Sequence, residues 1–215
     1  MLGLKPFQTK FIQLALESKA LEFGNFTLKS GRSSPYFFNA ANMLNGCNLH
    51  ELSLCYEEAI KQSGVRYDCI FGPAYKGIFL GSMVATLQSQ RGRNYPLSFN
   101  RKEAKDHGEG GNIIGASPHG DVMIIDDVLS AGTAAKESIE LIQALGAMPK
   151  LLIVGLNRQE KGSNKLGAKE ELERDFGITV QSIIDLDTLI QFLKTDDHFN
   201  KHVNEFEVYQ KRWGA

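Results

Sequence analysis

Apolar positions recur along this chain with two different spacings, and each change of spacing marks a new element. Phe7, Phe11, Leu14 and Ala15 follow a helical period, so Lys5–Ser18 reads as an amphipathic helix. From Leu21 to Asn39 the pattern changes. The pieces Leu21-Glu22-Phe23, Phe26-Thr27-Leu28 and Tyr36-Phe37-Phe38 are separated by the turn residues Gly24-Asn25 and Ser30-Gly31, which predicts a small β-element ahead of the main fold. Asn48 with Glu51 has the form of a capping box, and Leu49, Leu52, Tyr56 and Ile60 then share one helical face.

Beyond that point strands and helices alternate. Strands are predicted at Tyr67–Phe71, Pro96–Asn100, Val122–Ile125, Leu151–Leu156 and Val180–Ile184. Helices are predicted at Ile78–Ser89, Gly132–Leu145, Lys169–Asp175 and Asp187–Lys194, with Gly146 placed as a C-terminal cap and the tail Asp197–Trp213 as one more helix. Such alternation implies an α/β fold: a central parallel sheet flanked by helices on both faces, with ligands at the carboxyl ends of the strands. No repeat, low-complexity tract or linker interrupts it, so residues 1–215 read as a single domain.

Composition narrows the function classes. The 24 basic and 25 acidic residues nearly cancel, which argues against a general nucleic-acid binder. No apolar run approaches the roughly 20 residues that span a membrane, and MLGLKPFQTKF lacks the apolar core of a signal peptide. Cys47, Cys55 and Cys69 are odd in number and form no C-x-x-C, which fits a reduced, cytoplasmic setting. Cys69, inside Cys69-Ile70-Phe71, reads as core.

The richest stretch is Val122–Ala134, VMIIDDVLSAGTA. An apolar strand ends in Asp126 and Asp127, and a loop of small and hydroxyl residues, Ser130-Ala131-Gly132-Thr133-Ala134, then opens a helix. The loop amides and the helix N-terminus suit a phosphate, and the carboxylates suit hydroxyls or a metal. Taken singly, an acid pair is also a common strand end, and Ser130 and Thr133 are also ordinary helix caps. In their full order these residues resemble the signature of type I phosphoribosyltransferases, which bind 5-phosphoribosyl 1-pyrophosphate (PRPP). Ser130 stands where that signature has Thr.

Three more segments sharpen the resemblance. Phe71-Gly72-Pro73-Ala74-Tyr75-Lys76-Gly77 follows a buried strand; it is either a tight βα connection or an anion-binding turn, and it lacks the Lys-Ser/Thr of a P-loop. Asn100–Gly111 mixes Arg101, Lys102, Lys105 and His107 with acids and glycines, which predicts a flexible lid over a polyanion. This run, the segment Lys29–Phe38 and the segment Leu156-Asn157-Arg158-Gln159-Glu160 resemble orotate phosphoribosyltransferases, over roughly Phe7 to Ile184. Arg158 has the chemistry to meet a carboxylate, which orotate has and uracil lacks. Asn157 stands where that family has Asp. Of the adjacent aromatics Phe37 and Phe38, one faces the core and the other, or the backbone of both, is free to wall a flat ring.

The resemblance implies PRPP contacts at Lys29, Tyr75, Lys76, Arg101, Lys102, Lys105, His107, Asp126, Asp127, Val128, Leu129, Ser130, Ala131, Gly132, Thr133 and Ala134. It implies orotate contacts at Phe37, Phe38, Ser130 and Arg158, with residues 1–40 forming a substrate-binding hood. Lys105, His107, Asp126 and Asp127 are its catalytic candidates, without a covalent nucleophile. It further implies Mg²⁺ held mainly through PRPP and water, no certain side-chain metal ligand, and a homodimer in which Arg101, Lys105 and His107 reach the partner's site. The rival readings are a purine phosphoribosyltransferase, which shares only Asp126–Ala134, and a PRPP-sensing regulator, which the near-neutral charge disfavours.

Overall fold

The structure is a computed structural model describing residues 3–28, 31–102, 112–161 and 166–215. Helix α1 (Pro6–Glu17) starts with proline, whose missing N–H costs nothing at a helix start, and buries Phe11, Ile12, Leu14 and Ala15. Strands β1 (Leu21–Thr27) and β2 (Ser33–Phe38) form the expected small β-element and pair antiparallel, but Gly24-Asn25 is not a turn: it lies within β1, where the pairing absorbs it as an irregular register between Phe23 and Phe26. Helix α2 (Gly46–Ser63) starts earlier than the spacing predicts. Asn45, not Asn48, is its cap, and the Asn45 side chain accepts from the Asn48 amide at 3.0 Å.

The alternating part follows. It runs β3 (Cys69–Phe71), α3 (Lys76–Gln90), β4 (Leu97–Asn100), β5 (Ile113–Gly115), β6 (Asp121–Leu129), α4 (Thr133–Ala144), β7 (Met148–Asn157), α5 (Ala168–Phe176), β8 (Thr179–Asp185), α6 (Leu186–Thr195) and α7 (Val203–Trp213). Among the described residues the main sheet has the order β5-β4-β3-β6-β7-β8. Every pairing in it is parallel except β4 with β5. β5 was not expected from the sequence: it is three residues long and, among the described residues, forms the edge of the sheet, paired with β4.

β6 is the central strand. Val122, Met123, Ile124 and Ile125 are fully buried, as a strand covered on both faces requires. The strand does not stop at Ile125, where the apolar run breaks. It continues through both aspartates, because pairing with β7 carries on to Val128↔Leu156 and Leu129↔Asn157. Two apolar cores flank the sheet. The larger holds α1, α2, α6 and α7 with the hairpin; the other holds α4 and α5. Cys69 lies in the latter, as expected. Gly146 takes a left-handed φ of 80° just after α4, the conformation in which glycine ends a helix most cheaply.

The hairpin is tied to the main body through α7. Phe206 stacks on Tyr36 of β2 at 5.2 Å between ring centroids and meets Phe23 of β1 edge-on at 5.5 Å. Phe206 is fully buried. Phe206→Ala should lower stability by roughly 3–5 kcal/mol through transfer and cavity costs, read as a shifted urea midpoint at unchanged slope.

Candidate active site

The carboxyl ends of β3, β4, β6 and β7 bring most of the described candidate residues to one edge of the sheet. At the end of β3, the chain turns through Gly72–Gly77 into α3. The turn is so tight that a Cβ on Gly72 would lie 2.1 Å from the Gly77 carbonyl oxygen, and one on Gly77 would lie 2.8 Å from the Ile125 carbonyl oxygen. Only glycine fits either place, so the turn seats directly on β6. The end of β4 steadies it, since the Asn100 side chain accepts from the Ala74 amide at 2.8 Å. Asn100 had no role assigned from the sequence, although it opens the charged run.

This turn delivers Tyr75 and Lys76. Tyr75 is 69% exposed, and the Lys102 ammonium lies 5.0 Å from its ring centroid, within cation–π reach. Lys76 pairs with Asp127 at 2.5 Å. The two aspartates therefore sit in different surroundings. Asp127 is buried at 7% exposure and carries a cation. Asp126 accepts the Asp127 backbone N–H at 2.9 Å, and its carboxyl is pushed up to about 7, first by burial and then by the charge of Asp127. Beneath it the Tyr56 hydroxyl donates to the Asp126 backbone carbonyl at 2.9 Å, and burial holds that phenol well above its ordinary range.

Beyond Leu129 the small-residue loop encloses a cavity of about 480 Å³, lined by Asp126, Ser130, Ala131, Thr133, Ala134 and Glu137 among others. Gly132 caps α4 in a left-handed conformation with φ 80°, and among the described residues no side chain caps the helix. The capping role open to Ser130 and Thr133 is thus not taken. The first bond of α4 runs from the Lys136 amide to the Gly132 carbonyl. The Thr133, Ala134 and Ala135 amides precede it and, among the described residues, face no capping group.

At the end of β7, Arg158 is 5% exposed and already engaged. Its Nε meets Glu160 at 2.5 Å, and its Nη2 donates to the Ser34 hydroxyl at 2.9 Å and the Tyr209 hydroxyl at 3.1 Å. The Tyr36 ring lies 4.2 Å from its guanidinium carbon. Burial works against the charge, but Tyr36, Glu160 and Tyr209 outweigh it and keep the guanidinium more firmly protonated than usual. The Asn157 side chain accepts from the Gln159 amide at 3.0 Å and supports the positive φ of 50° there. Asparagine does this without placing another negative charge beside Glu160. In the hairpin, Phe38 is core, stacked 6.0 Å from Phe11, whereas Phe37 is 40% exposed beside Phe26. Of these two rings, only Phe37 is presented for contact with a ligand.

Arg101 closes the base of the charged loop, its amide donating to the Asn112 carbonyl at 2.7 Å. Lys29, Lys105 and His107 lie outside the described residues, as does the rest of Glu103–Gly111. Among the described residues, sequence reasoning gave no role to Ser34, Tyr36, Glu160 or Tyr209. Glu160 carried one local signal, its place two residues after an arginine at a strand end.

No family model matches the chain. The chain is 51% identical over 212 residues to an orotate phosphoribosyltransferase of Marinobacter nauticus, covering 99% of this chain and all of that protein. It is 48% identical to one of Pseudomonas aeruginosa, over 98% of this chain and all of that protein. The chain belongs to the orotate phosphoribosyltransferases. A solved orotate phosphoribosyltransferase of Francisella tularensis matches it with a TM-score of 0.83 and 35% identity, over 95% of this chain and 99% of that one. The fold is shared more distantly with UMP synthase of Leishmania donovani, at TM-score 0.78 and 23% identity, over 97% of this chain and 43% of that one. The shared fold is the expected one, a mostly parallel sheet between helices with a small hairpin.

The raised Asp126 carboxyl has a definite sign for stability. A carboxyl whose folded value lies above its unfolded value of about 3.9 favours folding at low pH and loses that contribution as pH rises through about 7. Asp126→Asn should therefore gain stability relative to the parent between pH 4 and pH 7 in the ligand-free protein. Parallel urea titrations across that range check it, and a difference independent of pH would show that Asp126 titrates normally.

Proposed function

We propose the following division of labour for the reaction of this family, transfer of ribosyl phosphate from PRPP to orotate, which gives orotidine 5′-phosphate and pyrophosphate. The observation that carries it is the cavity at the end of β6, where Asp126 stands beside the uncapped first turn of α4. Ser130 through Ala134 and the α4 amides take the 5-phosphate, as helix N-termini favour anions. Asp126 and Asp127, with Val128 and Leu129 behind them, hold the ribose hydroxyls. Tyr75, Lys76, Arg101 and Lys102 hold the pyrophosphate, joined by Lys29, Lys105 and His107 from outside the described residues. Orotate lies against Phe37 and the β2 backbone, with its carboxylate on Arg158 and its ring edge near Ser130.

Substitution at the anomeric carbon proceeds through an oxocarbenium-like state. Positive charge grows on the sugar while negative charge leaves with pyrophosphate. The aspartates favour the first and the cationic groups the second, so both ends of the transition state meet fixed complementary charge. Lys76 is held by Asp127 at 2.5 Å and so is directed before substrate arrives. Lys105 and His107 complete the shell around the leaving group.

Among the described residues no three His, Cys, Asp or Glu side chains converge as a metal cage. Asp126, beside the loop cavity, is a suitable oxygen donor for a cation held mainly through substrate oxygens and water, which is the manner of Mg²⁺. When bound, Mg²⁺ supplies charge neutralisation at the pyrophosphate. We further assign the protein to the cytoplasm, supported by three free cysteines, and read residues 1–215 as one domain with the hood in residues 1–40. No described helix is long and apolar enough to cross a membrane.

With PRPP and Mg²⁺, orotate should turn over while uracil and hypoxanthine do not. Release of orotidine 5′-phosphate is followed by chromatography. Turnover of hypoxanthine in place of orotate would make the chain a purine enzyme.

The homodimer with a shared site has its own test. Lys105→Ala and Asp127→Asn homodimers should each be nearly inactive. In a mixed heterodimer, one site receives both defects and the other neither. Random pairing of equal amounts should then restore about a quarter of the wild-type activity. Mass spectrometry of differently tagged chains monitors exchange. Heterodimers with activity no higher than the parents would place Lys105 in its own subunit's site.

A further inference from the structure

We propose that Glu160 and Tyr209 are positioning residues for orotate, holding the Arg158 guanidinium in the orientation that meets the substrate carboxylate. The inference rests on the assignment of Arg158 to orotate made above. A guanidinium has five N–H donors on one rigid plane, so fixing two of its nitrogens fixes the third. Here Nε is held by Glu160, and Nη2 is held by Ser34 and Tyr209. Among the described residues these bonds engage Nε and Nη2 and leave the Nη1 protons for a substrate. Arg158 therefore offers one end of its fork, not the free bidentate edge that the isolated residue suggests.

Tyr209 links the two sides of this arrangement. Its hydroxyl donates to Glu160 at 2.5 Å and accepts from Arg158 Nη2 at 3.1 Å. Glu160 takes a further cation, Arg32 of the hairpin, at 3.2 Å. The turn that carries Arg158 is also pinned from outside. The Lys161 amide donates to the Trp213 carbonyl at 2.8 Å, and the Ala215 amide donates to the Gln159 carbonyl at 2.8 Å. The Gln159 side chain accepts from the Asp187 amide and donates to the Asp187 carboxylate. On the inner side, the Arg158 amide donates to the Leu129 carbonyl at 2.9 Å. Thus α7 reaches the pyrimidine end of the site through one hydroxyl and one carboxylate, both buried. Without the Tyr209 hydroxyl, Ser34 alone competes with Glu160 for Nη2. The guanidinium then turns to pair with Glu160 through both Nε and Nη2, away from the substrate.

Steady-state kinetics of Tyr209→Phe, Glu160→Gln, Arg158→Ala and the Arg158→Ala/Tyr209→Phe double variant test this. Tyr209→Phe keeps the ring that packs on Tyr36, so a thermal melt should show it folded. Its orotate KM should rise roughly tenfold, the size of a lost charge-assisted hydrogen bond, with PRPP KM within about twofold of the parent. Glu160→Gln should shift the same constant in the same direction. The double variant should be no worse for orotate than Arg158→Ala alone, because Tyr209 acts through Arg158. A high orotate KM in Arg158→Ala beside a normal or lowered one in Tyr209→Phe overturns the positioning role and leaves the Arg158 assignment standing. An equal rise in both KM values for Tyr209→Phe also overturns it, since that is general loosening. A normal orotate KM in Arg158→Ala removes the assignment itself.

Discussion

The carboxyl end of β6 is the constraint from which the site follows. Four residues of this strand, Val122 to Ile125, are wholly buried between two helical layers. A strand covered on both faces has no use for polar side chains until it emerges. Asp126 and Asp127 stand at that emergence, still paired to β7 and so fixed by the ladder. The Gly72–Gly77 turn seats on the Ile125 carbonyl, and Tyr56 braces the Asp126 carbonyl from below. Remove the burial of β6 and neither the acids nor the loops around them keep their places.

Two adjacent carboxylates in such a place repel each other, and the structure resolves this by making them unequal. Asp127 takes Lys76 as partner, while Asp126 takes a backbone N–H and a raised carboxyl range. In the proposed site, the positive charge that grows on the sugar in the transition state favours the charged form of Asp126. The uncapped start of α4 lies across the same cavity and favours the opposite end of the ligand. A phosphorylated sugar bridging the two relieves both.

How much of this was legible in the sequence depended on range. The β6 run, the helical faces and the Gly72–Gly77 turn show themselves within a dozen residues, whereas Gly24-Asn25, read as a turn, lies inside β1 as an irregularity of its register. The failures are local too, but weaker in signal. β5 is three residues beside a glycine-rich run, too short for a period of two to register. Asn45 and Asn48 are both good caps, and only the geometry chooses between them. β6 was cut short because carboxylates ended its apolar run, although pairing with β7 carried it on. The surroundings of Arg158 were invisible for another reason. Ser34 and Tyr209 lie 124 and 51 residues away along the chain, and nothing local in either marks them as partners of an arginine.

Those long-range contacts decide how the two halves of the site are held relative to each other. The Arg158 amide bonds to the Leu129 carbonyl, the last residue of β6 before the phosphate loop. The pyrimidine end and the phosphate end of the proposed site thus share one hydrogen bond between adjacent strand ends. Rigid sheet backbone sets their spacing, and a substitution between two bound reactants depends steeply on that spacing. The side chains can then differ in role without moving the frame. In the proposed site the acids and α4 hold the sugar phosphate, while α7, through Tyr209 and Glu160, sets only the angle of a guanidinium. A change of pyrimidine preference is therefore more accessible from the α7 side than a change of phosphoribosyl donor, because the first alters one side-chain plane and the second must alter the end of the buried strand.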